Sequence, residues 1–191
     1  MIADYKTLDL FRIPVARVVT NLLNEDIAKY TEDFLKINNL GYSTYFNKKK
    51  NDEFQKNMPQ SSKFKELINE VADKFMNDWD YSHKGNPFIF WWASNYEEGN
   101  GHGTHIHPGS TLSGTYWPIA EEGCSPIKFT SPYTESLMQL PPKQKHVEYT
   151  YQSKTNDMLI WPSWLRHEVP NQTNNSKRIA ISFNVVYDNS K

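Results

Sequence analysis

The spacing of apolar positions along this chain changes once. In the first half, Ile27, Tyr30, Thr31, Phe34 and Leu35 recur three and four residues apart, the period of one helix face. Asn24 suits the cap of that helix, Glu25 and Asp26 suit the positive end of its dipole, and Gly41 follows its end. A second stripe of Phe64, Leu67, Ile68, Val71, Phe75 and Trp79 predicts another amphipathic helix, with Ser61 or Ser62 as its cap. Between the two, Gly41 to Pro59 carries Lys48, Lys49, Lys50, Asn51 and Asp52 and reads as a solvated loop. Lysine runs face solvent far more often than they bind phosphate. Upstream, the β-branched stretch Leu10 to Val19, with Pro14 near its start, suits an edge strand. Two helices then need an apolar surface to cover.

From Pro87 the character of the chain changes. Phe-Ile-Phe-Trp-Trp-Ala-Ser-Asn is a dense strand signal, and Gly99 to Gly103 makes a turn into the next extended piece. Leu112 to Ile119, Pro126 to Thr130, Val147 to Gln152, Asp157 to Trp161 and Arg178 to Tyr187 continue as short strands between Gly, Pro, Asn and Ser clusters. That order predicts a β-sandwich or jelly roll with two helices packed on it, not an alternating α/β sheet. No internal repeat or interdomain linker interrupts the 191 residues, so one domain is expected, with residues 1–85 as its helical part and 86–191 as its β core.

Composition narrows the function classes. Aromatic residues make up 14% of the chain, enough to build a core with polar tips. A net charge of −1 argues against general attachment to nucleic acid or to an acidic membrane. The N-terminal segment mixes acids with apolar residues and reads as neither signal peptide nor membrane span. Cys124 is the single cysteine, which excludes an intrachain disulfide and fits a reducing, cytoplasmic setting. An exposed edge strand near Leu10 leaves a homodimer open.

The chemistry concentrates between Gly101 and Trp117, where His102, His105 and His107 supply half of the six histidines. Two residues apart on a strand, His105 and His107 would share a face while Ile106 points the other way. His167, in Trp-Pro-Ser-Trp-Leu-Arg-His-Glu-Val-Pro-Asn, is the best third partner. Three neutral imidazoles from distant strands can hold a divalent first-row metal and leave coordination positions open. On spacing alone, the pair at 105 and 107 could equally be surface histidines or hydrogen-bonded core histidines.

The stretches His-Gly-Thr-His-Ile-His-Pro-Gly-Ser-Thr-Leu-Ser-Gly-Thr-Tyr-Trp and Trp-Pro-Ser-Trp-Leu-Arg-His-Glu-Val-Pro-Asn, followed by Arg-Ile-Ala-Ile-Ser-Phe-Asn, resemble a family of Fe(II)- and 2-oxoglutarate-dependent oxygenases found in phage and bacteria. The likeness spans the C-terminal half, with looser agreement in Leu-Phe-Arg-Ile-Pro-Val. It implies a double-stranded β-helix, a jelly roll with metal and cosubstrate in its mouth. The family's usual ligands are two histidines and a carboxylate. Here His105 fills the first position and His167 the distal one, but the second, normally acidic, is His107. That exchange raises the charge of the iron core by one, and a bound 2-oxoglutarate dianion would leave it neutral. Glu168 would point away from the metal, and Glu97 or Glu98 would reach it only through loop folding. His102, at the strand entry, suits a place beside the ligands or on the substrate side.

The resemblance also places the cosubstrate. Arg178, eleven residues after His167, stands where the family carries the basic residue that grips the far carboxylate. Some relatives have a serine two residues later; Ala180 takes that slot and Ser182 is the substitute. Tyr116, Asn95 and Ser113 are further polar candidates for the same ligand. The implied reaction consumes O2 and 2-oxoglutarate, releases succinate and carbon dioxide, and hydroxylates a small-molecule or protein substrate that the sequence leaves unidentified. Two alternatives stay open: a zinc enzyme activating water at three histidines, and a non-catalytic metal-binding module. Loops at Gly41 to Pro59 and Glu121 to Lys145 are expected to shape the entrance.

Overall fold

Residues 12–20, 22, 24–81, 85–133 and 147–187 are described in a computed structural model of the chain. Strand β1 (Ala16–Val19) is followed by helices α1 (Asn24–Ile37), α2 (Lys48–Asn57) and α3 (Ser61–Asp78). Strands β2 (Phe88–Tyr96), β3 (His102–His105), β4 (Leu112–Ala120), β5 (Ile127–Thr130), β6 (Glu148–Tyr151), β7 (Asp157–Pro162), β8 (His167–Val169) and β9 (Arg178–Val186) complete the order. They form two antiparallel sheets, β1-β7-β4-β9-β2 and β3-β8-β5-β6. This is the double-stranded β-helix expected from the sequence.

Alternation along each strand sorts the five-stranded sheet into two apolar layers. Ile181, Phe183 and Val185 face the helices, whereas Arg178, Ala180 and Ser182 face the second sheet. Phe64 of α3 is fully buried and meets Trp91, Tyr116 and Phe183 at ring-centroid distances of 5.8, 5.8 and 6.2 Å. Gly114 lies under that contact, because a Cβ there would stand 2.1 Å from the Phe183 ring. Between the sheets, Trp117, Leu159, Trp161 and Ala180 pack against Ile127, Phe129 and Val169. The site is built inside this second layer.

The N-terminal part differs from expectation in two ways. The predicted loop at Gly41 to Pro59 contains a third helix, α2. Its signal is weak because Phe54 is its one buried apolar side chain and three lysines crowd the end where the dipole prefers acids. Polar ties hold it instead: Asn51 is buried and donates to the Trp91 carbonyl at 3.0 Å, and Gln55 donates to the same oxygen at 2.8 Å. Second, α3 begins at Ser61 after Gln60 in the left-handed region, φ 58°, so neither serine is its cap. The expected edge strand is present: β1 pairs with β7 over Ala16 to Val19 at one end of the five-stranded sheet. Leu10, Phe11 and residues 134–145 of the expected entrance segment lie outside the described residues. Among the described residues, no helix is long and apolar enough to cross a membrane.

Candidate metal centre and its cavity

The short strand β3 ends at His105, so His107 does not share that strand face as expected. It is held instead by a turn. Pro108 and Gly109 occupy the middle positions, Gly109 has φ 80°, and the Ser110 amide donates back to the His107 carbonyl at 3.3 Å. That is type II turn chemistry, which wants Pro second and Gly third. The His107 amide also donates to the Ser163 carbonyl at 3.0 Å, and the Ser163 hydroxyl donates to the Ser110 carbonyl, pinning the turn to the β7–β8 connection. His105 pairs with His167 across β3 and β8. Gly101 lets β3 start close to that neighbour, since a Cβ there would meet the Val169 carbonyl oxygen at 2.9 Å.

These elements bring His105, His107 and His167 together, with one ring nitrogen from each within 4.8 Å of the others. The Nε2 atoms of His107 and His167 are 3.2 Å apart. Metal–nitrogen bonds of about 2.1 Å span roughly 3.0–3.4 Å between adjacent ligand atoms, so this separation suits a shared ion. The second nitrogens of His105 and His167 are engaged. Nδ1 of His105 lies 2.7 Å from the Gly103 carbonyl and Nδ1 of His167 lies 2.8 Å from the Leu165 carbonyl. Donation from Nδ1 to those oxygens leaves each Nε2 lone pair free, the way backbone carbonyls orient metal-binding imidazoles. Burial, reinforced by mutual repulsion, pushes His107 down to about 4 and His167 down to about 3. His102 and His105 are also lowered, chiefly by burial. At neutral pH the imidazoles are therefore uncharged and able to ligate.

His102 stacks on His105 at 4.1 Å between ring centroids and lines the same cavity. No carboxylate joins the cluster among the described residues. Glu168 accepts a hydrogen bond from Thr104 in register with Lys128, and Glu97 and Glu98 are exposed in the β2–β3 turn.

Arg178 lies at the start of β9, 1% exposed, with its guanidinium carbon 4.4 Å from the centre of the Tyr96 ring. Its Nε donates to the Ser125 carbonyl at 2.9 Å, whereas Nη1 is buried without a hydrogen-bond partner. Burial lowers its pKa, opposed by Tyr96 and Cys124, and no carboxylate accompanies it among the described residues. The cavity between the sheets is lined by the four histidines at one side and by Arg178, Ala180 and Ser182 along β9, with Trp92, Tyr96 and Trp161 as aromatic wall. Its free volume is about 40 Å³, room for roughly three waters.

The other candidates separate by strand face. Ser182 lines the cavity, 3.5 Å from the Thr115 hydroxyl. Ser113 donates to the Asn184 side chain at 2.8 Å on the same sheet face but outside the cavity lining. Tyr116 and Asn95 point to the helix layer, Tyr116 against Phe64 and Asn95 into a groove with Glu32 and Lys36. Their neighbours Thr115 and Tyr96 face the cavity in their place. Tyr96, Ser125 and Gln172 escaped sequence reasoning. Tyr96 was accessible through its parity with Trp92; the other two sit in loops with no periodic signal.

A jelly roll holding three histidines near its mouth defines a class of metal-binding, enzyme-like folds. Residues 90–184 match the model of a family described as "Putative 2OG-Fe(II) oxygenase". No curated protein sequence matches the chain. Among solved structures, a prolyl-4-hydroxylase from Pseudomonas putida aligns with TM-score 0.60 and 8% identity, over 92% of this chain and 88% of that one. A viral collagen prolyl hydroxylase from Paramecium Bursaria Chlorella virus-1 aligns at 0.56 and 11% over 97% and 100%. A 2OG-Fe(II) oxygenase family oxidoreductase from Burkholderia pseudomallei aligns at 0.50 and 12%, over 68% of this chain and 59% of that one. Residues 90–184 thus match that family's pattern, and the chain shares the fold of these oxygenase structures.

Proposed function

We propose that the chain is an Fe(II)- and 2-oxoglutarate-dependent oxygenase that hydroxylates a small-molecule or protein substrate. The observation that carries this reading is the pairing, in one cavity, of a three-imidazole cluster with a buried Arg178 that has an unpartnered Nη1. A buried cation without a counter-ion is costly unless a ligand supplies the anion. A dicarboxylate with one end on a metal and the other on Arg178 meets both needs.

His105, His107 and His167 would hold the metal, and Arg178 the far carboxylate, with Ser182 and Thr115 as hydroxyl partners on the same face. Bound Fe(II) with 2-oxoglutarate would supply the activation of O2, coupled to decarboxylation to succinate and to hydroxylation of a substrate C–H bond. The chain's own work is positioning and exclusion. The Gly103 and Leu165 carbonyls fix two imidazoles, the turn at Pro108 and Gly109 fixes the third, and Trp92, Tyr96 and Trp161 wall the cavity. Anaerobic addition of Fe(II) and then 2-oxoglutarate to the apoprotein should produce a weak visible charge-transfer band, and admission of O2 should yield succinate. Absence of both would reject this function.

A second reading has specific support. The cluster has no carboxylate, and the free volume of about 40 Å³ is small for a ligand of ten non-hydrogen atoms unless lining side chains move. Three neutral imidazoles and an open position equally suit zinc, either activating water or serving as a non-catalytic metal module. Metal analysis after purification without chelators, and turnover that persists without O2, would favour zinc chemistry.

A further inference from the structure

We infer that Gln172 is a positioning residue for Arg178, setting which edge of the guanidinium is offered to an anionic ligand; this rests on the cosubstrate reading above. Gln172 is 1% exposed, although it lies in the connection between β8 and β9. Its side-chain amide is used at both ends. Oε1 accepts from the Ser125 amide at 2.7 Å, and Nε2 donates to the Ser176 carbonyl and, at 3.3 Å, to Asn174 Oδ1. Its backbone ties in a third loop, donating to Asn100 at 2.8 Å and accepting from Gly99 at 2.8 Å. Three connections thus meet on one buried amide.

The consequence falls on Ser125. Its amide is held by Gln172, and its carbonyl accepts from Arg178 Nε at 2.9 Å. With Nε committed there, the guanidinium cannot turn about its long axis without losing that bond, and Nη1 remains the unpartnered corner. A planar fork grips a carboxylate only in one orientation. Removing Gln172 frees the Ser125 peptide to tilt and the fork to rotate, so the effect should appear in recognition of a far carboxylate and not in metal binding.

The test uses the full chain loaded anaerobically with Fe(II), titrated with 2-oxoglutarate and with 2-oxobutanoate, which keeps the oxo-acid but lacks the far carboxylate. Wild type should prefer 2-oxoglutarate strongly. Gln172→Met should weaken 2-oxoglutarate about tenfold, within the range typical of supporting partners, and leave 2-oxobutanoate and Fe(II) affinity within twofold. In an Arg178→Met background the same change should have no further effect. Should Gln172→Met fail to fold, Gln172→Asn, one methylene too short to reach Ser125, replaces it with the same expected loss. Equal weakening of both ligands, or unchanged 2-oxoglutarate affinity, overturns the inference while the cosubstrate reading stands. A wild-type protein that does not distinguish the two acids overturns both.

Discussion

Replacing Arg178 by Met separates a ligand anchor from a structural cation, because the two roles move different quantities. In the apoprotein the exchange removes the charge-assisted bond to the Ser125 carbonyl and the guanidinium contact with Tyr96. Those are worth about 1.5–3 and up to about 2 kcal/mol. It also removes a buried cation with no acid beside it and with Nη1 unsatisfied, a penalty of several kcal/mol. The terms oppose one another, so the melting temperature should change little, by the equivalent of about 2 kcal/mol or less in either direction. Ligand binding has no such compensation. Losing a buried hydrogen-bonded charge partner costs about 2–5 kcal/mol, which is roughly 30-fold to several thousand-fold in Kd. Anaerobic titration of the Fe(II)-loaded variant with 2-oxoglutarate, followed by charge-transfer absorbance, reads that loss, and calorimetric melting of the apoprotein reads the first. A Kd within threefold of wild type, or a variant that is unfolded at 25 °C, would refute the reasoning.

Other perturbations probe the remaining parts. His105→Ala and His167→Ala should each reduce metal affinity by more than about 100-fold, beyond what supporting partners contribute, and dialysis against Fe(II) or Zn(II) with metal analysis measures it. His107→Ala should do the same while His107→Asp retains the metal; undiminished binding by His107→Ala would remove it from the ligand set. For pH, folding lowers His107 to about 4 and His167 to about 3 from an ordinary 6.5. The unfolded chain therefore takes up these protons first, so apoprotein stability is constant above about pH 7.5, falls below pH 6.5 and levels out near the folded values. By pH 5.5 the loss should be roughly 3 kcal/mol for the pair, read by urea denaturation, and a flat profile between pH 7 and 5 would contradict the burial. Phe64→Ala, at the junction of α3 and the sheet, should cost about 3–5 kcal/mol, and a loss below about 1 kcal/mol would mean that the helix layer is not cemented there.

Legibility followed periodicity. Helices α1 and α3 were readable because one-sided burial writes a repeat of three to four into the sequence, and strands β2, β4, β7 and β9 because burial on both faces writes dense apolar and aromatic runs between turn residues. Helix α2 was not, since its attachment runs through Asn51 and Gln55 to one carbonyl of β2 and leaves only Phe54 as an apolar mark. At the site, His105, His107, His167 and Arg178 could be named from motif and spacing, but partners chosen by proximity in sequence missed by one position. Tyr96 pairs with Arg178 and Thr115 pairs with Ser182, so these share the cavity face; Asn95 and Tyr116, one step away, are on the other. Register, set by pairing across the chain, carried that information. Ser125 and Gln172 lie in loops, where contacts follow from three connections converging in space, which no local pattern records.

Charge balance gives the strongest physical ground for choosing between the two readings of the centre. Three neutral imidazoles leave the full charge of a divalent ion uncompensated, and Arg178 adds another positive charge to the same cavity, which contains no acidic side chain in its lining. A hydroxide on zinc would cancel one of three charges and leave Arg178 without a counter-ion; a dicarboxylate would cancel two and place one of them at the guanidinium. Because each buried unpaired ion costs several kcal/mol, metal and Arg178 should oppose one another in the empty protein and cooperate when a dianion is present. The consequence is measurable without turnover: 2-oxoglutarate should tighten Fe(II) binding in wild type, and Arg178→Met should bind Fe(II) alone at least as well as wild type while losing most of that enhancement. If 2-oxoglutarate does not alter metal affinity in wild type, the two halves of the cavity are not serving one ligand, and the zinc reading gains.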